Sequence, residues 1–248
     1  MRITVLGSSG TYPAGDNPAS SFLISTDSRS IWCDAGPGSF GALARLMDPA
    51  DLDAVVLSHR HPDHCLDLLA AYHALAYRPV PVGGIRLLAG ESVLERLFAF
   101  LEAGEDHRIH STFDIVVMGD GDRHQVGDIT ITAVEMSHTA PTLGTRYQAG
   151  ESELFYTADT GRGPWEESVG PVDLLVCEAT LESGSEDGDR VGHLIAGQTG
   201  RIAREIGSAR QLLTHIHPHL DPSVSVLEAE HTFGGPVAWA EPGATHEV

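Results

Sequence analysis

Three imidazoles and one carboxylate are packed into the six residues His59-Arg60-His61-Pro62-Asp63-His64, directly after the apolar stretch Leu52–Leu57. Imidazole together with carboxylate suits Zn²⁺ and the neighbouring first-row ions, so the run reads as a metal-binding loop. Its setting constrains the fold as well as the chemistry. Val55-Val56-Leu57 has the signature of a buried strand, the run occupies the C-terminal exit of that strand, and Leu66 to Tyr72 opens a helical pattern behind it. Strand, reactive loop and helix in succession point to an α/β architecture, in which functional groups collect at strand ends. His59 and His61 lie two apart in extended chain, so their side chains can converge on one ion. Asp63 and His64 are adjacent, so they are expected to diverge from one another and to serve a second ion beside the first.

A two-metal site needs more ligands than one loop supplies, and other strand ends carry them. Ile129–Val134 alternates like a strand and runs into Met136-Ser137-His138-Thr139. Glu153–Thr157 runs into Ala158-Asp159-Thr160-Gly161, and Gln211–Thr214 into His215-Ile216-His217-Pro218. The expected partition gives His59, His61 and His138 to one ion and Asp63, His64 and His215 to the other. Asp159 bridges them, because a carboxylate can offer one oxygen to each ion and an imidazole cannot. His217 is the rival to His215, which is preferred as the residue nearest the strand end. His73, His107, His110, His124, His219, His231 and His246 fall in helical or loop sequence without evident partners and are expected to be solvated.

The chain has 248 residues and no linker, repeat or low-complexity tract, so one domain spanning 1–248 is expected. Met1 to Gly7 reads as a strand and turn rather than a basic-then-apolar leader, and no apolar run approaches the roughly 20 residues that span a bilayer. A cytoplasmic protein with no membrane partner is expected. Cys33, Cys65 and Cys177 are far apart and form no C-x-x-C pair, which suits reduced core thiols. Fifteen basic residues, all arginine, stand against 35 acidic ones for a net charge of −20. Long polyanions are repelled by such a surface, so no extended nucleic-acid footprint is expected. The absence of lysine excludes Schiff-base and P-loop chemistry.

In order along the chain, His59-x-His61-x-Asp63-His64, Ser137-His138, Ala158-Asp159-Thr160-Gly161 and Leu213-Thr214-His215 resemble the motifs of the metallo-β-lactamase superfamily. Leu6–Gly10, Asn17–Ser21, Asp34–Gly38 and Leu175–Thr180 narrow the likeness to the ribonuclease Z branch, whose members are phosphodiesterases acting on RNA or cyclic phosphates. The resemblance implies an αββα sandwich, two facing mixed β-sheets with helices outside. The alternation of strands with helical stretches such as Ser92–Glu102 and Ala196–Ile206 implies the same. The resemblance further implies that His193, supported by Glu178, stands near the leaving oxygen as the acid.

Two departures separate the chain from members that process transfer RNA. Only Thr139 to Ala158 separates His138 from Asp159, too short for the arm that grips a tRNA, and Val191-Gly192-His193-Leu194-Ile195 lacks the Ser-Thr that usually follows the histidine. The likeness is nearer to arm-less cyclic-nucleotide phosphodiesterase-type homologues.

The expected activity is therefore that of a dinuclear-metal hydrolase, with Zn²⁺ ahead of Mn²⁺, acting on a small cyclic or short phosphodiester through a hydroxide shared by the metals. Asp63 would orient that hydroxide and take its proton, and Asp34 would orient a ligand histidine or fix loop amides. A ribonuclease Z-type tRNA 3′-endonuclease, and a lactonase or thioesterase using the same cage, are the alternatives. Assembly as a homodimer is compatible with this reading.

Overall fold

A computed structural model describes residues 1–181, 183–184 and 192–248. Val191 of the segment singled out above lies outside the described residues. The first half of the chain supplies β1 (Arg2–Gly7), β2 (Ser21–Ser25), β3 (Ser30–Cys33), β4 (Ala54–Leu57), β5 (Ile85–Ala89) and β6 (Phe113–Val117). The second supplies β7 (Arg123–Val126), β8 (Ile129–Glu135), β9 (Leu143–Ala149), β10 (Ser152–Tyr156), β11 (Leu174–Glu178), β12 (Arg210–Thr214), β13 (Val237–Trp239) and β14 (Thr245–Glu247). Helices α1 (Ser39–Leu46), α2 (Pro62–Cys65), α3 (Asp67–Ala76), α4 (Glu91–Leu101) and α5 (Ile109–Thr112) lie in the first half. Helices α6 (Trp165–Val169), α7 (Ala196–Ile206) and α8 (Pro222–Phe233) follow in the second.

The strands form two sheets, ordered β14-β1-β2-β3-β4-β5-β6 and β13-β12-β11-β10-β9-β8-β7. Both are mixed. Strands β3 to β6 pair parallel with one another, whereas β14–β1, β1–β2 and β2–β3 pair antiparallel. In the second sheet β7 to β10 are antiparallel and β10 to β13 parallel. The expected sandwich is therefore present. Its central core joins the inner faces, with Ile3, Phe22, Ile31 and Val56 from one sheet packed with Ile129, Ile131, Tyr147, Tyr156 and Val176 from the other. The outer face of the first sheet (Trp32, Val55, Leu57, Leu87) is covered by Leu68, Tyr72, Leu75, Val93 and Leu94 of the helices. Phe155, Leu175 and Cys177 on the second are covered by Trp165, Ile202 and Ile206.

Covering both faces explains why β4, all four of whose residues are buried, reads as an unbroken apolar run. Helix α7 has the bounds read from the sequence. Helix α4 begins and ends one residue earlier than expected, because Glu102 takes the left-handed conformation (φ 51°) and closes the helix. His124 and His246 are in strands β7 and β14 rather than in helix or loop. All three cysteines are free and buried. No helix among the described residues is long and apolar enough to cross a membrane.

Candidate metal centre

Strand β4 ends at Leu57, β8 at Glu135, β10 at Tyr156 and β12 at Thr214, and the segment after each turns its ligand groups toward one point. Four donor atoms form one group: His59 Nε2, His61 Nδ1, His138 Nε2 and Asp159 Oδ2. His59 Nε2 lies 3.0 Å and His138 Nε2 3.2 Å from His61 Nδ1, and the two Nε2 atoms lie 3.6 and 3.9 Å from Asp159 Oδ2. The second group is Asp63 Oδ2, His64 Nε2, His215 Nε2 and the other oxygen of Asp159. His64 Nε2 is 3.2 Å and His215 Nε2 3.5 Å from Asp159 Oδ1, and Asp63 Oδ2 is 3.8 and 3.1 Å from the same two nitrogens.

All seven residues of the expected ligand set are thus brought together, with Asp159 between the groups. One expectation is corrected. Asp63 and His64 converge rather than diverge, because Pro62–Cys65 winds into a helical turn that brings both side chains to the same donor group. His217 is in neither group; its ring packs edge-on against Tyr12 and contacts His219.

The donor sets suit divalent cations. His64 Nε2 and Asp159 Oδ1 are buried, and neither has a hydrogen-bond partner among the described residues, since their 3.2 Å contact lacks hydrogen-bond geometry. Orphaned buried polar atoms are costly, and an ion at this point would satisfy both.

The outer ring nitrogens are spoken for. His138 Nδ1 donates to the Gly192 carbonyl at 2.8 Å, and His64 Nδ1 to Asp34 Oδ2 at 2.7 Å. The Thr180 hydroxyl donates to Glu178 Oε2 (2.6 Å), so it accepts from His215 Nδ1 (2.7 Å). The Ser58 hydroxyl donates to Asp34 Oδ2 (2.8 Å), so it accepts from His59 Nδ1 (3.0 Å). Each of these four rings therefore directs an N–H outward and turns its Nε2 inward, where it can ligate a metal once it carries no proton. Asp34 serves His64, the Ser58 N–H (2.8 Å) and the Tyr156 hydroxyl (2.9 Å), the orienting role expected of it.

Burial, reinforced by neighbouring imidazoles, holds His59 well below the ordinary histidine range and His61 and His138 below it, which keeps them neutral. For His64 burial acts in the same direction, but the Asp159 and Asp34 carboxylates outweigh it and raise it well above that range. A proton there does for the metal-free protein what a cation would otherwise do. Burial opposes ionisation of Asp159, yet His215 and His64 outweigh it and hold the carboxyl well below the usual range.

Glu178, the last residue of β11, is fully buried. Its Oε1 accepts from Thr160 N and His193 Nδ1 (2.8 and 2.7 Å), and its Oε2 from Thr180 N and Oγ1 and from Leu194 N. So enclosed, it has no surface to offer a substrate and acts by holding His193. The His193 ring stands 4.9 Å from that of His138 and stacks at 5.7 Å on that of His215. Burial pushes His193 down, but Glu178 outweighs it and raises the ring to about 9. Sequence reasoning missed Ser58, Thr180, Tyr156 and Gly192 as supports of the ligands. It also missed the Thr11 N–H, 3.3 Å from His215 Nε2. Ser58 adjoins the His59 that it supports, whereas Thr180, Tyr156 and Gly192 meet their partners only in the fold.

The sequence profile described as beta-lactamase superfamily domain matches residues 29–216, a span that includes all seven donor residues. The chain belongs to the beta-lactamase superfamily. Among superfamily relatives, an uncharacterized protein of Mycobacterium tuberculosis (strain H37Rv) is 34% identical over 254 residues, covering 100% of this chain and 92% of its own length. The probable metallo-hydrolase YhfI of Bacillus subtilis is 29% identical over 254 residues, with 100% of both chains covered. Its crystal structure, that of a metallo-beta-lactamase fold protein, matches with a TM-score of 0.89 and 26% identity over 100% of this chain and 98% of that one. A ribonuclease Z of Myxococcus xanthus is 25% identical over 303 residues, covering 100% of this chain and 98% of its own length. The family expected from the ordered motifs is the family found.

Proposed function

We propose that this superfamily member is a dinuclear metal-dependent hydrolase acting on a small phosphodiester. The observation that carries the reading is the pair of donor groups sharing Asp159, with the Glu178–His193 pair beside them. Two divalent cations, Zn²⁺ or Mn²⁺, held by His59, His61, His138 and Asp159 and by Asp63, His64, His215 and Asp159, would supply hydroxide at neutral pH and offset charge building on a phosphoryl group.

The chain's own groups divide the remaining work. Burial raises Asp63, but His215 and His64 together outweigh it and lower the carboxyl, so Asp63 is ionised and suited to orient the attacking water and take its proton. His193 holds a proton on a ring whose Nδ1 is fixed by Glu178, leaving Nε2 to donate to a departing alkoxide. Such an acid matters for phosphodiesters with poor leaving groups, and a ribonuclease Z among the relatives supports the same class. The interval between His138 and Asp159 is taken up by the β9–β10 hairpin, and the net charge is −20; both favour a small substrate over a folded RNA.

The test is the metal-loaded protein against bis-p-nitrophenyl phosphate, 3′,5′- and 2′,3′-cyclic nucleotides, a pre-tRNA, a homoserine lactone and a glutathione thioester. Turnover of the small phosphodiesters is expected, with about two ions per chain by elemental analysis. His193→Ala should lower kcat roughly 10²–10⁴-fold on cyclic nucleotides and much less on p-nitrophenyl esters, whose leaving group needs no proton. Turnover confined to the lactone or thioester would overturn the reading. Efficient pre-tRNA cleavage, weakening about 10³-fold or more between 50 and 200 mM salt, would instead make the protein an RNA-processing enzyme.

A further inference from the structure

The loop that leaves β1 is fastened to the loop that carries His215. Ser9 bridges Ile216, the Gly10 N–H donates to the Ile216 carbonyl at 3.0 Å, and the Ser9 hydroxyl donates to the Tyr12 carbonyl at 2.6 Å. Thr11 sits in the left-handed region (φ 67°) with its N–H 3.3 Å from His215 Nε2. A threonine held in that conformation costs on the order of 1 kcal/mol or more, so the surrounding contacts impose it. The result is a backbone set against the second donor group and, one residue on, the ring of Tyr12 left 47% exposed. The Tyr12 hydroxyl has no hydrogen-bond partner among the described residues. Its ring meets His217 edge-on (centroids 5.6 Å, 83°), and His217 in turn contacts His219 (4.1 Å). An aromatic face with imidazole edges thus stands at the rim of the metal centre, and no core packing calls for it.

We infer that the Tyr12 ring, braced by the perpendicular ring of His217, is a stacking face for the base of a nucleotide phosphodiester. The inference rests on the hydrolase reading above and names the class of substrate that site takes. The physical case turns on charge. A chain of net charge −20 does not draw an anionic nucleotide from a distance, so recognition beyond the metals must come from short-range contact. Stacking of a base on an aromatic side chain contributes roughly 1–3 kcal/mol and tolerates any base, because each has a π-face. The Nδ1 atoms of His217 and His219 pair with each other, which leaves the Nε2 edges as donor or acceptor for the base's polar rim.

The experiment compares adenosine 3′,5′-cyclic phosphate with its base-less analogue, methyl riboside 3′,5′-cyclic phosphate, on the metal-loaded protein. Tyr12→Leu should raise the KM ratio of nucleotide to base-less compound roughly 5- to 150-fold, the fold-change equivalent to that stacking energy, with little change in kcat for the nucleotide. Tyr12→Phe should restore it. His217→Leu should move the ratio in the same direction by less. An unchanged ratio, or equal losses on both compounds in Tyr12→Leu, would overturn the stacking face. Calorimetric titration with adenosine monophosphate separates the two proposals. If no phosphodiester is turned over, the hydrolase reading fails, yet a Kd at least 5-fold weaker in Tyr12→Leu and recovered in Tyr12→Phe still supports the face, and a Kd indifferent to Tyr12 removes it.

Discussion

Asp159 places one oxygen in each donor group, and Glu178 places one on His193 and the other, through Thr180, toward His215. Glu178 therefore sets the protonation of His193, and Asp159 together with Asp34 that of His64. The role of Glu178 can be isolated in metal-free protein, where His193 should titrate near 9 by NMR. In Glu178→Gln the largest raising influence is gone and burial remains, so the ring should titrate below the ordinary histidine value of about 6.5. A His193 that stays high in this variant would show that some other group charges it. The stability consequence has a definite sign. A raised histidine stabilises the fold fully below its unfolded pKa and loses that contribution as pH climbs through its folded one. Metal-free wild type should therefore lose stability relative to Glu178→Gln between about pH 6.5 and 9. The donor residues were legible at this scale because their side-chain chemistry is rare and their spacing is tight. Ser58, Thr180 and Gly192 were not, because a serine, a threonine or a glycine has too many ordinary uses for its identity to announce a second task.

Each ligand segment follows the end of a strand, and this was the part of the fold that the sequence made most legible. Alternation in Ile129–Glu135 and apolar runs in β4 and β12 locate strand ends to within a residue or two, and the residues just beyond them are the ligands. Less visible was what the connecting segments do on leaving a strand. The turn of α2 that brings Asp63 and His64 together follows a proline at its first position, a signal that local reasoning about neighbouring side chains overlooked. Gly192 meets His138 across 54 residues, and no local pattern encodes that meeting. Its importance can be tested. Gly192 has φ +67°, and a Cβ there would lie 3.0 Å from the His138 Cα and 3.1 Å from its Nδ1. Gly192→Ala should push His138 off its carbonyl partner and weaken metal affinity roughly 10–100-fold, as loss of such a support does. Gly150→Ala is the control, with φ +61° but nothing within 4 Å of the added carbon. It should cost about 1 kcal/mol of stability for the left-handed alanine and leave metal content at wild-type level in equilibrium dialysis. Equal metal affinity in the two variants would mean that the Gly192 contact does not position His138.

At the scale of the whole molecule, His59, His61, Asp63 and His64 follow a strand of the first sheet, whereas His138, Asp159 and His215 follow strands of the second. The sandwich was legible from the order of strand and helix signals together with the family likeness. The pairing of β14 with β1, which returns the end of the chain to the first sheet, had no counterpart in local patterning. Because the donors are divided in this way, a bound ion ties one sheet to the other along the edge where these imidazole and carboxylate groups gather. Binding that requires both halves in place is also folding free energy. Above the dissociation constant, each tenfold rise in free metal adds about 1.4 kcal/mol per site, and roughly 2–4 °C of Tm per kcal/mol is usual for a chain of this size. Calorimetric scans in metal-buffered solutions should therefore show Tm climbing linearly with the logarithm of free Zn²⁺. A flat response would mean that the ions, if bound, do not hold the two sheets together. With that slope, the melting temperature becomes a gauge of the free metal in the surroundings, and scarcity of the ion would thin the population of folded molecules as well as silence them.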